Sequence, residues 1–295
     1  MAWLAKPQNT IAVLKRYKFR FQKKFGQNFL IDESVIRRIV EGAGITKDDL
    51  VLEIGPGIGT MTQYMAEAAG GVLAVEIDRN LKPVLEDTLY EYHNVEIIWG
   101  DILKQDLPAV LSEKALGRKV KVVANLPYYI TTPIIMDLLE QRLDIECITV
   151  MIQKEVAVRM QAEPGSKDYG ALSLAVQYYT EPEVIAKVPP NCFIPRPNVE
   201  SAVIRLSVLD RPSVSVQDEK LLFKLIRASF NQRRKTLLNG LKNSPELSFT
   251  GEEIAAAIAA AGFDPAVRGE TLTLTEFARL SDILSAGKTD SGYCG

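Results

Sequence analysis

The chain has 295 residues, 47% hydrophobic and 24% charged, the composition of an ordinary soluble globular protein with apolar mass for one large or two ordinary cores. Its three cysteines, Cys147, Cys192 and Cys294, are isolated and fit a reducing cytoplasm, with neither a disulfide framework nor a zinc site to be built from them, and the single histidine, His93, nearly excludes histidine-based triads. No apolar run reaches the roughly 20 residues of a membrane span, Met1 to Thr10 lacks a secretory pattern, and the net charge of −2 conceals two basic stretches on an otherwise acidic chain.

Residues 11–30 read as an extended basic-aromatic arm. Lys15, Arg16, Lys18, Arg20, Lys23 and Lys24 interleave there with Tyr17, Phe19, Phe21, Phe25 and Phe29. Rings among cations suit base stacking beside phosphate contacts, with plain packing on the domain as the alternative. Asp32 is a good N-cap, and Val35, Ile36, Ile39 and Val40 have helical spacing up to Ala43. Asp49 to Ile54 is an apolar run long enough for a buried strand. It breaks into Gly55, Gly57 and Gly59 before a helix over Met61 to Ala69. Strand, glycine turn and helix N-terminus make a nucleotide site: missing Cβ atoms let backbone approach the ligand, and free N–H groups point at it.

Gly71 to Asp78 is a second buried strand ending in acid, followed by a helix over Leu81 to Leu89 that tolerates Pro83 in its first turn. Val95 to Trp99 is a third strand, ending at Gly100-Asp101. Lys119 to Ala124 is a fourth, ending at Asn125-Leu126-Pro127-Tyr128. Thr132-Pro133 opens a helix to Leu139, and Glu146 to Ile152 is a fifth strand. The alternation predicts an α/β fold with a doubly wound, mostly parallel sheet. Ligands of such sheets sit beyond the C-terminal strand ends, where Gly55, Glu76, Asp101 and Asn125 fall.

Residues 153–180 read as helical around a polar loop at 163–166, Pro189 to Pro197 as a rigid loop, and Ser201 to Val208 as an alternating strand. Asp210-Arg211-Pro212 is the expected boundary between a catalytic domain, 1–209, and a smaller all-α domain, 210–295. That domain has helices over Leu221–Phe230, Leu237–Leu241, Glu252–Ala260 and Thr275–Leu284, with a disordered tail from Gly287. Lys220, Lys224, Arg227, Arg233, Arg234, Lys235 and Lys242 give it a second acid-free basic stretch. Two such stretches point to a polyanion, nucleic acid first.

Glu76 lies about 20 positions beyond Gly55, where an acid accepts both ribose hydroxyls of an adenosine. NAD proteins and S-adenosylmethionine proteins share that arrangement. The spacing Gly-x-Gly-x-Gly puts Thr60 where the dinucleotide pattern wants its third glycine, which favours the methyl donor. Glu53 and Asp101 fit the same arrangement, Asp101 as acceptor for the adenine amino group. Asn125-Leu126-Pro127-Tyr128 then names the chemistry. The N6 of adenine is a poor nucleophile because its lone pair is conjugated into the ring. An Asn carbonyl and a backbone carbonyl that both accept from N6 favour a pyramidal nitrogen with a free lone pair. Pro127 holds Leu126 extended and so fixes its carbonyl, and Tyr128 offers a ring to a flipped base. Transfer is then an in-line displacement set by positioning and electrostatics, with no strong base. Phe193, flanked by a proline-rich loop, is expected as an exposed ring held at a fixed angle.

Phe25 to Leu30, the Glu53 to Gly59 loop, Glu76 to Asp78, Gly100-Asp101, Asn125 to Tyr128, Phe193 to Ser201 and Phe230 to Leu237 together resemble a family. It is the ribosomal RNA adenine N6,N6-dimethyltransferases, specifically their small-subunit (16S) or KsgA type, over most of residues 20–285. The resemblance implies an S-adenosylmethionine pocket lined by Asn28, Leu30, Gly55, Glu76, Asp101 and Asn125. It implies catalysis by Asn125, Leu126, Pro127 and Tyr128, with Phe193 completing a sandwich on the adenine. Ribosomal RNA is expected to dock on Arg227, Arg233, Arg234, Lys235, Lys23 and Lys24. The implied reaction dimethylates two adjacent adenosines in a hairpin near the 3′ end of small-subunit RNA, within an immature 30S particle. A cytoplasmic monomer without metal is expected. The runner-up is the related large-subunit methyltransferase of macrolide resistance, and the Phe230 to Lys235 segment favours the small-subunit type. Intact Asn125 and Tyr128 argue against a non-catalytic assembly factor, and the missing third glycine against an NAD oxidoreductase.

Overall fold

The structure is a computed structural model that describes residues 2–22 and 25–291, the last four of them as backbone only. It divides into two compact units, Met1–Ala157 with Glu181–Val208, and Val158–Thr180 with Leu209–Gly295.

The first unit opens with α1 (Pro7–Arg16), β1 (Phe29–Leu30) and α2 (Glu33–Gly42). Strands and helices then alternate through β2 (Asp49–Ile54), α3 (Thr60–Ala68), β3 (Gly71–Glu76), α4 (Lys82–Thr88), β4 (Val95–Trp99), α5 (Leu107–Ala115), β5 (Lys119–Asn125), α6 (Thr131–Glu140) and β6 (Ile145–Gln153). After the excursion to the second unit come β7 (Thr180–Val188), β8 (Phe193–Ile194) and β9 (Ser201–Val208). One seven-stranded sheet has the order β4-β3-β2-β5-β6-β9-β7, and β1 pairs with β8 apart from it.

The pairs from β4 to β6 are parallel, whereas β9 runs antiparallel to β6. Both faces of β2 and β3 are buried along their whole length, so these strands read as continuous apolar runs without alternation. The chain steps outward from β2 to β4 and then restarts at β5 on the other side of β2. The C-terminal ends of β2 and β5 therefore flank the reversal of strand order, where an open parallel sheet leaves a crevice. At the opposite end of the sheet the buried Lys121 Nζ meets Asp49 Oδ2 at 3.0 Å and Glu146 Oε1 at 3.4 Å. A cation in β5 is thus neutralised from the strands on both sides, which makes its burial tolerable.

The N-terminal arm is not extended as the sequence suggests. Pro7 starts α1, Leu4 N donates to Gln63 Oε1 at 3.0 Å, and Trp3 lies 4.4 Å from the Tyr64 ring. Phe19, Phe21 and Phe29 pack ring to ring, and Tyr17 and Phe19 lie on a cluster that includes Leu4, Ile58 and Leu85. These rings are packed on the domain and are not a free stacking arm. Burying ring surface stabilises by about 25 cal/mol per Å², while Lys15, Arg16, Lys18 and Arg20 stay exposed.

Neither α5 nor β7 is anticipated from the sequence. Asp106 caps α5 by accepting from Ala109 N at 3.1 Å, with Pro108 in the first turn. Pro182 disguises β7, which takes an edge position in the sheet, where proline is tolerated.

The second unit is helical: α7 (Lys154–Met160) leads into it, followed by α8 (Ala171–Tyr179), α9 (Glu219–Asn231), α10 (Leu237–Lys242), α11 (Gly251–Ala260) and α12 (Leu274–Ser291). The stretch 158–180, expected in the catalytic domain, belongs here. The Tyr178 and Tyr179 hydroxyls donate to Glu219 at 3.0 and 2.7 Å, and both rings pack on Phe223 of α9. The other division, after Val208, falls beside the expected one. Helix α12 continues to Ser291 through the tail expected to be disordered from Gly287, since one glycine costs a helix only about 1 kcal/mol. Residues 292–295 of that tail lie outside the described residues.

Candidate active site

Beyond Ile54 the chain turns through three glycines into α3. Gly55, Gly57 and Gly59 have φ of +73°, +60° and +89°, a region that side chains rarely enter. A Cβ on Gly57 would lie 2.9 Å from Phe29 Cε1, whereas one on Gly55 would meet nothing within 4 Å. The turn is closed against β1 at Gly57 and open to the cleft at Gly55. Gly57 N donates to Glu76 Oε2 at 3.1 Å, and Asp78 N donates to Glu76 Oε1 at 2.7 Å. The end of β3 is thereby stapled to the turn. Asp78 in turn accepts from the side-chain amides of Gln22 and Gln27, which ties those residues to the same edge.

Asn28, Leu30, Gly55, Glu76, Asn125, Leu126, Pro127 and Tyr128 all line the cleft, as does Glu53. Glu53 is fully buried: Oε2 accepts from Thr62 Oγ1 at 2.6 Å, and Oε1 has no hydrogen-bond partner among the described residues. Burial pushes its carboxyl up to about 8, with the neighbouring Glu76 adding to the rise. Burial likewise pushes Glu76 up to about 6, against the pull of its backbone donors. An orphaned buried carboxyl oxygen beside a cradle of open backbone suits a ligand that carries positive charge and hydroxyl donors.

Glu53 supplies a stability prediction. Its folded value lies above the ordinary 4.5, so the fold favours the neutral acid. That stability is present below the unfolded value and is lost as pH rises toward about 8. Glu53→Gln should therefore gain on wild type by a few kcal/mol between pH 5 and pH 9, roughly as a shift of this size implies. Denaturant midpoints of the ligand-free proteins at the two pH values test this. Parallel pH profiles would show that Glu53 is already charged in the fold.

The end of β5 carries the second group of residues. Asn125 Nδ2 donates to the Asn28 carbonyl at 2.8 Å. A carbonyl can only accept, so this bond fixes the orientation of the amide. Oδ1 is left with no partner among the described residues, an acceptor in a cleft wall. Leu126 N donates to Met151 O at 3.2 Å, while its own carbonyl accepts from none of the described residues. Tyr128 is half-buried, with its hydroxyl 2.8 Å from Ser201 Oγ at the start of β9. Two carbonyl acceptors and a braced ring therefore follow one another beside the glycine turn.

Two expected residues lie elsewhere. Asp101 accepts from Leu103 N at 3.2 Å as the cap of a 3₁₀ turn and is not among the cleft-lining residues. Phe193 is only 4% exposed, packed in the core with Leu30, Cys192 and Val203. The expected exposed ring is wrong: Phe193 pairs with Leu30 across β1 and β8, and its ring turns inward despite the stiff proline-rich loop.

The second unit separates the basic residues by what they already hold. Arg233 binds Glu270 Oε2 at 2.6 Å and donates to the carbonyls of Ser166 and Lys167. Arg227 pairs with Glu246 at 3.0 Å. Arg234 and Lys235 are exposed and have no ion-pair partner among the described residues. Lys23 and Lys24 lie outside the described residues. Gln27, Met61 and Ile77 also line the cleft without having been expected there from the sequence, and so does Phe25, expected only as a ring of the basic-aromatic arm. Phe25 and Gln27 carry a signal, the Phe25 to Leu30 motif; for Met61 and Ile77 the only signal is adjacency to the glycine turn and to Glu76.

The family model described as ribosomal RNA adenine dimethylase matches residues 18–284. A protein named ribosomal RNA small subunit methyltransferase A from Lachnoclostridium phytofermentans is 65% identical over 96% of this chain and 98% of its own. Its namesake in Geobacillus thermodenitrificans is 54% identical over 95% and 97%. Among solved structures, a dimethyladenosine transferase from Plasmodium falciparum aligns with a TM-score of 0.73 at 26% identity, over 89% of this chain and 98% of that one. The 23S rRNA methyltransferase ErmE aligns with a TM-score of 0.65 at 27% identity, over 87% and 99%.

Proposed function

This chain belongs to the ribosomal RNA adenine dimethylase family, and we propose that it dimethylates the N6 of adenosines in small-subunit ribosomal RNA with S-adenosylmethionine as donor. Relatives named for the small subunit match at 50–65% identity, against 27% for the large-subunit enzyme, so the large-subunit reading is not favoured. No helix among the described residues is long and apolar enough to cross a membrane.

The observation that carries the chemistry is the fixed Asn125 amide. Its nitrogen is spent on Asn28, so its Oδ1, together with the Leu126 carbonyl, is available to accept the two N6 hydrogens of a flipped adenine. Those bonds strengthen as the nitrogen pyramidalises and gains positive charge, and so they favour the transition state over the ground state. Tyr128, held by Ser201, offers its ring to the base. The donor supplies an electrophilic methyl on a sulfonium. Glu76 would hold its ribose hydroxyls, Glu53 would face its cationic end, and the Gly55 turn with Asn28 and Leu30 would cradle it.

In the finer reading the substrate is a pair of adjacent adenosines in a hairpin near the 3′ end of the RNA. A cytoplasmic monomer modifies them within an immature 30S particle. Labelled donor with small subunits lacking the mark should give N6,N6-dimethyladenosine in the small-subunit RNA. Label appearing only in large-subunit RNA would move the substrate assignment.

RNA docking on the helical unit follows the free cations. Arg234→Ala with Lys235→Ala should weaken RNA binding and lower the slope of its salt dependence by about 1 to 2. Arg233→Ala should instead lower the melting temperature, because it strands two carbonyls and leaves Glu270 only the more distant Arg268, at 3.7 Å. A steeper salt slope lost in Arg233→Ala than in the double variant would reverse these roles.

A further inference from the structure

We infer that Tyr129 is the stacking platform for the nucleobase beside the target adenine, a positioning residue for RNA outside the catalytic tetrapeptide. The inference rests on the RNA-methylating reading of the cleft.

Tyr129 is 62% exposed, and among the described residues its ring has no aromatic partner and its hydroxyl no hydrogen bond. Its backbone is nevertheless fixed. Ile130 N donates to Pro127 O at 3.2 Å and Thr131 Oγ1 donates to the same carbonyl at 3.1 Å, closing the turn that contains Tyr129. The ring stands at the rim of the cleft. A Cβ built on Gly26 would lie 3.7 Å from Tyr129 Cε1 and 3.3 Å from Pro127 Cβ, and both Gly26 and Pro127 line the cleft.

Other exposed rings have another account. Phe21 packs on Phe19 and Phe29, and Tyr90 follows α4, which contributes nothing to the cleft. Tyr129 alone among these combines exposure with the mouth of the site. A base that leaves its stack deprives its neighbour of a partner on that side, and a fixed ring at the pocket mouth replaces it. Charge agrees with this placement. Arg196 is exposed with no ion-pair partner among the described residues, in a loop that starts at the Phe193–Leu30 pairing and ends at Ser201 beside Tyr128. A free guanidinium there suits the phosphate that joins the two nucleotides.

The test compares the full-length wild type with Tyr129→Ala and Tyr129→Phe. The probe is an RNA hairpin with 2-aminopurine beside the target adenine, and labelled donor reports turnover. Tyr129→Ala should raise the RNA KM roughly 5- to 100-fold, the range of one lost base–aromatic stack. The donor KM and the melting temperature should stay unchanged, and the 2-aminopurine should lose its quenching. Tyr129→Phe should restore both RNA readouts, since stacking needs the ring and not the hydroxyl. An RNA KM and quenching in Tyr129→Ala within twofold of wild type would overturn the inference, as would failure of phenylalanine to rescue. Wild type that methylates no RNA at all would instead strike the parent reading.

Discussion

Asn125→Ala should lower kcat at saturating donor by at least about 100-fold, the loss typical of removing one preorganised partner of developing charge, while RNA affinity stays within about threefold. The reason lies in which end of the amide is free. With Nδ2 committed to the Asn28 carbonyl at 2.8 Å, Oδ1 is the only side-chain acceptor this residue can present. Alanine deletes it and leaves the Leu126 carbonyl alone. The remaining carbonyl still strengthens its bond as N6 gains charge, but it holds only one of the two hydrogens, so the paired geometry that favours a pyramidal nitrogen is lost with the Asn125 share of the differential stabilisation. Single-turnover rates with pre-bound RNA separate this from a binding defect. A rise in RNA KM with kcat unchanged would mean that Asn125 grips the substrate and leaves its nitrogen unactivated.

The parts of this site legible in the sequence are those that local chemistry dictates. Three alternating glycines after a buried strand demand left-handed backbone, and the carboxyl of an acid closing the next strand reaches the turn by accepting from its backbone N–H. Both follow from residues within a few positions of a strand end. Asn125 and Tyr128 were legible because the order of elements places β5 beside β2.

Phe193 was not legible in that way. Its neighbours in sequence argue for a stiff exposed loop, but its burial is decided by β1, more than half the chain away. The aromatic residues of the N-terminal arm fail for the same reason. Their spacing among cations is equally good for stacking on bases and for packing on Ile58 and Leu85, and only the tertiary surface chooses. Among the basic residues the sequence shows charge but not its partners. Arg233 and Arg234 are neighbours in the chain, yet one is a structural staple and the other free.

Glu76→Gln should weaken donor binding by about 100-fold, since hydrogen bonds to a charged group contribute about 1.5–3 kcal/mol each and the carboxylate is proposed to accept two from the ribose. The substitution also disturbs the cradle itself. Gly57 N and Asp78 N both donate to this side chain, one to each oxygen, and glutamine must present an NH₂ to one of them. The pH dependence gives an independent reading of the same residue. Burial raises the Glu76 carboxyl from the ordinary 4.5 to about 6, so the empty fold prefers the neutral acid, and that contribution to stability is lost as pH rises from 4.5 toward 6. A ligand offering two hydroxyl donors prefers the carboxylate. Stability of the empty chain and affinity for the donor therefore respond to this group in opposite directions. Wild-type affinity should fall by up to about tenfold per pH unit below 6, and Glu76→Gln should be flat over the same range. Calorimetry with the donor from pH 5 to pH 8 measures both. A glutamine variant that binds within threefold of wild type would remove Glu76 from the donor site, whereas an identical pH slope in the two proteins would assign the titration to Glu53.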